Sequence, residues 1–308
     1  MKRDQKVFLM GEEIAEFGGT YKVTLGLVEE FGHDRVRNTP LAEAAIVGAA
    51  LGAAVVGMRP VAELMFIDFA TIAMDQIVNQ MAKLRYMTAG GVKIPAVIRT
   101  QGGSGLHSAA QHGQSLEAWF THVPGLKVVM PATPCDAKGL LKASIREDNP
   151  VIFIENKMLY NVKGPVPEKE YLSPLGKAEV KREGSDITVV SWSRGVLFAL
   201  QAAEILEKQG ISLEVVDLMT LKPLDEGTIL NSVKKTGRLI VAHEACLTGG
   251  FGGEIAAIVA DKAFSDLKAP IKRVAALDTS IPYNPALESY TLLDEKKIVA
   301  AATQLMGK

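Results

Sequence analysis

Residues 37–64 read "RNTPLAEAAIVGAALGAAVVGMRPVAEL". Pro40 fixes the backbone before a helix that starts near Ala42, Glu43 falls in its first turn, and no further charge appears until Arg59. A helix built from this run of small apolar residues has no face suited to water, so it is expected inside a fold or at a contact. The chain then passes directly into "RPVAELMF", whose apolar run suits a buried strand. A helix leading straight into a buried strand is half of a βαβ unit. If the alternation repeats, the fold is α/β.

It does repeat. Upstream stand the strand "KVFLM" and a helix from about Leu25; downstream come a helix over Phe69 to Met87, the strand "PAVIRT", a helix near Ser115, the strand "LKVVMP", a helix from Ala137 to Arg146 and the strand "VIFIEN". Between Lys157 and Asp186 the text becomes rich in Pro, Gly and charge, which reads as a linker. A second series follows: "ITVVSW", a helix from Val196 to Lys208, "SLEVVDL", a helix near Asp225 to Lys234, "RLIVAHE", a helix from Phe251 and "IKRVAAL". Two α/β domains with parallel sheets are expected, spanning 1–165 and 186–308 with 166–185 between them.

The composition is that of an ordinary globular protein, with 48% hydrophobic and 22% charged residues, and a formal net charge of -1 gives no electrostatic reason to expect nucleic acid or an anionic membrane. "VFLM" is too short for a signal peptide core, and Glu43 disfavours residues 41–58 as a membrane span. The two cysteines, Cys135 and Cys246, have neither disulfide nor zinc spacing. A cytoplasmic location is the expectation.

Nucleotide motifs are missing: there is neither GxxxxGK[ST] nor GxGxxG, and "GGSGLH" at 102–107 does not match the nucleophile elbow GxSxG. "TGGFGGE" at 248–254 lies between a strand and a helix, where it serves either as a tight turn or as an anion cradle. Glu43 has two readings of its own. It is a helix-end charge, or it is a desolvated carboxyl at the mouth of an apolar segment, able to give or take a proton. Gly48 and Gly52 form a GxxxG pair that suits close helix packing, plausibly between subunits. Of five histidines, His112 in "SAAQHGQSLEAWF" stands on a loop after a strand, where α/β sheets carry functional groups; His107 shares that loop, and His243 in "VAHEAC" reads as structural or interfacial.

Taken together, "GEEIAEFGGTYKVTLGL", "NTPLAEAAIVGAALG", "RPVAELMFIDFATIAMDQIVNQMAKLRYMTAGG", "AAQHGQSLEAWFTHVPGLKVVMP", "DAKGLLKASIREDNPVIFIENKMLY" and "GGFGGEIAA" resemble the β subunits of thiamine-diphosphate-dependent 2-oxo acid dehydrogenases. The likeness covers nearly the whole chain, and it is strongest to the E1 β subunits of pyruvate and acetoin dehydrogenase complexes. It implies two doubly wound parallel-sheet domains, a pyrimidine-binding domain followed by a transketolase C-terminal domain.

The resemblance also implies roles for particular residues. Glu43, the glutamate of the "TPxxE" segment, would hydrogen-bond N1′ of the cofactor's aminopyrimidine and favour the tautomer that activates the thiazolium. Met65 and Phe69 would line that ring, with Phe69 stacking on it, and Leu41 would touch it. His112 would sit near the substrate and the incoming lipoyl group. A structural potassium site would use backbone oxygens of Ala96, Ser144 and Ile145, with Glu147 and Asn149 beyond them, although "SIREDN" replaces a more usual Ala and Asp.

Two departures bear on function. The GDG…Asn signature for Mg²⁺ and the diphosphate is absent and in this family belongs to the α subunit, so the chain alone is expected to be inactive. Family members also usually have a further segment, a helix included, before the counterpart of "KVFLMGEE". The expected assembly is an α₂β₂ tetramer that decarboxylates a 2-oxo acid, pyruvate first, and acylates a lipoyl group on E2, whose peripheral binding domain it docks. Acetoin cleavage, a branched-chain 2-oxo acid and a non-catalytic role in E2 docking are the alternatives. A single-chain transketolase or deoxyxylulose-phosphate synthase would need its own diphosphate-binding domain, for which 308 residues leave no room.

Overall fold

The computed structural model describes residues 1–307. Among them, twelve strands make two sheets: β1 (Val7–Gly11), β2 (Val36–Asn38), β3 (Arg59–Leu64), β4 (Val97–Gly102), β5 (Lys127–Val129) and β6 (Val151–Asn156), then β7 (Glu179–Arg182), β8 (Ile187–Ser191), β9 (Leu213–Asp217), β10 (Thr220–Lys222), β11 (Leu239–Cys246) and β12 (Lys272–Ala276). The first sheet runs β10-β5-β6-β4-β3-β1-β2 and the second β12-β11-β8-β9-β7. Both are parallel apart from one antiparallel edge each, β10 on β5 and β7 on β9.

Those edges depart from the all-parallel expectation. The strand β7, "EVKR", lies inside the stretch read as linker. It is charged because it is an edge strand, where Lys and Glu discourage further pairing. β10 comes from the second half of the chain but closes the edge of the first sheet, so the two halves share main-chain pairing.

The helix Glu43–Val55 buries Ile46, Val47, Ala50 and Ala54, and it shares one hydrophobic cluster with Phe8, Met10, Ala62 and Leu64 of β1 and β3. A methyl group added at Gly48 would meet only Gln76 Cγ, at 3.7 Å, and one at Gly52 would meet nothing within 4 Å. Close helix packing within the chain is therefore not what these glycines serve. The single helix expected over Phe69–Met87 is instead a 3₁₀ segment (Ile67–Ala73), a π segment (Asp75–Met81) and a short α-helix (Ala82–Met87). The reason is visible in the burial: Ile67, Ala70 and Ala73 recur every three residues, the 3₁₀ period, before the spacing widens to Ile77 and Met81.

The helix Pro134–Arg146 starts three residues earlier than hydrophobic periodicity suggested, because Thr133 and Asp136 form a reciprocal capping box and Pro134 occupies its first turn. In the second domain, the helices Arg194–Glu207 and Glu295–Leu305 both contribute to one core cluster with β8, β9 and β11. No helix among the described residues is long and apolar enough to cross a membrane. Cys135 and Cys246 are unbridged.

Candidate functional site

The first sheet presents its functional groups at the carboxyl ends of its strands, the usual location in α/β folds. Glu12 follows β1, the segment Met65–Phe69 follows β3, the loop carrying His107 and His112 follows β4, and Asn156 and Lys157 end β6 or follow it. Glu43 is the first residue of the helix after β2, behind Ala42, which offers no side-chain cap.

The Glu43 side chain is 7% exposed and accepts no hydrogen bond from a described residue. A buried carboxylate without a donor is costly, and the helix dipole offsets only part of that cost. Glu12 stands in the same field. Both of its carboxyl oxygens are buried and unpartnered, and burial, then the charges of Glu43 and Glu63, raise it above the ordinary glutamate value. Glu12 escaped the reading of the sequence because "GEE" at a strand end looks like solvated charge.

A triangle of rings is built from the segments that follow β3 and β4. His112 meets Phe69 edge-on at 5.3 Å between centroids and Phe66 at 5.2 Å, while Phe66 and Phe69 are 5.7 Å apart. His112, Phe69 and Met65 are half-buried, so each keeps a surface for a ligand. Phe66 was not anticipated. Leu41 is 79% exposed and stands outside this cluster.

The loop of His112 is held along its length. Ser104 Oγ donates to the Gly113 carbonyl, Gly103 N donates to Gln114 O at 3.0 Å, and Gln114 Nε2 donates to Asp68 Oδ1 at 2.8 Å. Gly103 has φ +81°, and a Cβ there would fall 2.3 Å from Asn156 Nδ2, so only glycine fits this turn. The second domain holds the loop too: Glu288 accepts from Gly105 N at 2.9 Å and pairs with His107 Nδ1 at 2.5 Å, and Arg194 donates to Ser104 O at 3.1 Å.

Behind the loop lies a buried polar layer. Asn156 donates to Glu244, whose carboxyl burial pushes up to about 7, and Trp192 Nε1 donates to the fully buried Glu117 at 3.2 Å. His243 is stacked on Trp192 at 5.2 Å, and burial pushes its pKa down to about 4, so it is a neutral interior ring away from the loop.

The five residues assigned to potassium do gather at one loop, but their oxygens are engaged. Ala96 O accepts from Val151 N, Ser144 O from Glu147 N and Ile145 O from Arg59. The Glu147 carboxylate binds Lys127 at 2.7 Å and Asn149, and Asn149 Oδ1 accepts from Arg85 at 2.7 Å. The chain's own cations Arg59, Arg85 and Lys127 all bind at this loop.

Comparison with known proteins agrees with this two-domain fold. The transketolase pyrimidine-binding domain matches residues 1–163, and the transketolase C-terminal domain matches residues 176–298. The chain is 49% identical to the 2-oxoisovalerate dehydrogenase subunit beta of Bacillus subtilis, over 99% of this chain and 94% of that one. It is 48% identical to the acetoin:2,6-dichlorophenolindophenol oxidoreductase subunit beta of the same organism, over 100% and 94%. It is 46% identical to the mitochondrial pyruvate dehydrogenase E1 component subunit beta of Dictyostelium discoideum, over 99% and 87%. A solved split-gene transketolase, an inactive β4 tetramer, shares the fold with a TM-score of 0.83 at 24% identity, covering 99% of this chain and 94% of that one. A transketolase-like fold spanning both domains, joined to near-half identity along the full length, establishes that the chain belongs to the family of 2-oxo acid and acetoin dehydrogenase E1 β subunits, whose members depend on thiamine diphosphate.

Proposed function

We propose that this chain supplies the pyrimidine half of a thiamine diphosphate site in an α₂β₂ E1 assembly acting on pyruvate, with Mg²⁺ and the diphosphate held by the α subunit. The observation that carries the reading is the Glu43 carboxylate, 7% exposed and without a donor, on a helix that shares a hydrophobic cluster with the segment leading through Phe69. Its chemistry fits an aminopyrimidine, which needs one carboxyl at a ring nitrogen and flat apolar walls.

When bound, thiamine diphosphate supplies the nucleophilic carbon that adds to the 2-oxo group and takes up the electron pair released with CO₂. The protein's share is proton placement and exclusion of water. Glu43 holds a proton at N1′, and the low-dielectric wall of Ile46, Val47 and Ala50 behind it strengthens that bond. Phe69 and Met65 line the ring, with Leu41 at its outer margin. His112, oriented by the edges of Phe66 and Phe69, donates a proton as the acyl group moves to a lipoyl sulfur. The second domain docks the peripheral binding domain of E2. A potassium ion held by the backbone oxygens of Ala96, Ser144 and Ile145, with Glu147 and Asn149 beyond them, would have a structural role, away from the reacting atoms.

Relatives named for acetoin and for 2-oxoisovalerate match at similar identity, so substrate choice is tested directly. The chain is copurified with its α partner and assayed with pyruvate, acetoin and 2-oxoisovalerate, thiamine diphosphate, Mg²⁺ and an artificial electron acceptor. The expected result is no turnover by this chain alone and turnover by the assembly, fastest with pyruvate. An intact assembly that turns over none of the three would contradict the proposal.

A further inference from the structure

Lys157 is 2% exposed, an unusual place for a primary ammonium. It opens the short 3₁₀ turn after β6, where Asn156 Oδ1 caps the turn by accepting from Met158 N at 2.9 Å. The Lys157 Nζ donates to the backbone carbonyl of His112 and lies 4.9 Å from the centroid of the Phe66 ring, the ring that His112 meets edge-on. Thus one buried ammonium touches both the main chain of His112 and a ring that orients its imidazole.

Three acids act on its charge through space. Burial lowers the Lys157 pKa, while the carboxylates of Asp68, Glu244 and Glu288 act against that fall. Asp68 stands beside the rings in the 3₁₀ segment, with its Oδ2 buried and unpartnered. Glu244 lies on β11, and Glu288, in the helix Pro285–Thr291, holds His107 and Gly105. Two of the three acids therefore belong to the second domain.

We propose that Lys157 is a positioning residue that seats His112 for acyl transfer, clamping its backbone carbonyl and packing against the Phe66 ring that the imidazole meets. The proposal rests on the role assigned to His112 above. It requires nothing of Lys157 at the reacting atoms. Loss of the clamp frees a carbonyl and lets the imidazole drift, and a displacement of about 1 Å is enough to cost on the order of 10²-fold in rate.

The test uses the α/β assembly loaded with thiamine diphosphate and Mg²⁺, with the variants Lys157→Met, Lys157→Arg, His112→Gln and the double variant. Lys157→Met is expected to slow reductive acylation of a lipoyl domain by on the order of 10²-fold, leaving KM for the 2-oxo acid within about twofold. Amide exchange across residues 103–114 should accelerate by about tenfold or more. Lys157→Arg, which keeps charge and donor, should recover most of both effects. In the double variant the two losses should not add, because both act through one imidazole. Unchanged exchange in Lys157→Met, or additive losses in the double variant, would overturn the proposal; so would a Lys157→Arg assembly as impaired as Lys157→Met. If His112→Gln alone transfers acyl groups at the normal rate, the His112 role is what fails, and the exchange measurement still decides whether Lys157 clamps the loop.

Discussion

Arg99 is the buried cation at the centre of the first sheet, and its removal can be worked through from the contacts. It is 3% exposed. One guanidinium nitrogen donates to Glu63, and the other donates to Glu155 at 2.6 Å and to Tyr160 Oη at 2.8 Å. Glu63 lies directly across from Arg99 in the β3–β4 register. Burial already raises the Glu63 carboxyl despite this partner, so desolvation outweighs attraction even in the intact cluster. We predict that Arg99→Met, which strands two carboxylates, costs about 3–5 kcal/mol near pH 8. The sign of the pH dependence follows. A carboxyl whose folded pKa lies above its unfolded value stabilises least once pH has risen through the folded pKa, and without Arg99 the Glu63 value rises further. The loss should therefore shrink toward about pH 5.5. Adding Glu63→Gln and Glu155→Gln to Arg99→Met should restore most of the stability, since no buried charge is then left unpaired. Urea unfolding followed by far-UV circular dichroism at both pH values is the assay. An Arg99→Met loss below about 1 kcal/mol at pH 8, or one that grows toward acid, would refute the reasoning.

Two further predictions rest on other sites. Gly125 has φ +101°, and a Cβ there would fall 2.0 Å from the Ala82 carbonyl oxygen; Gly125→Ala should cost at least about 2 kcal/mol in urea unfolding, and a change within about 0.5 kcal/mol would show that the turn relaxes freely. Asp217 is fully buried, with Oδ2 unpartnered and Lys181 no nearer than 3.9 Å, and burial pushes its pKa up to about 8. Because that value is raised, its contribution to stability falls as pH climbs from the ordinary aspartate range to about 8. Asp217→Asn should therefore gain on the wild type by up to about 1.4 kcal/mol per pH unit in that window. Parallel stability curves for the two proteins would contradict this.

The parts legible from sequence are those with a local cause. The helix Glu43–Val55 and the strands β3, β4, β6, β8 and β9 carry apolar periodicity strong enough to survive any context. By contrast, β2, β7 and β10 are three or four residues long, and their identity as strands depends on a partner distant in the chain. The 3₁₀ and π segments of 67–81 have a helical composition, and only packing decides their pitch. The site divides in the same way. Glu43 drew attention because a lone charge precedes a charge-free run, His112 because it stands on a loop after a strand, and Phe69 came from the family resemblance. Glu12, Phe66 and Lys157 carry no local signal. A lysine after a strand reads as solvated, and only the His112 carbonyl and the Phe66 ring, brought from elsewhere in the chain, give its buried head a partner.

The account turns on Glu43 holding a proton against the cofactor's pyrimidine. The most direct measurement is the rate at which the C2 proton of bound thiamine diphosphate exchanges with deuterium in the α/β assembly, read by quenched flow and proton NMR for the wild type and Glu43→Gln. With assembly and cofactor affinity unchanged, the variant should exchange slower by on the order of 10²-fold. Exchange at the wild-type rate would contradict the assignment of Glu43.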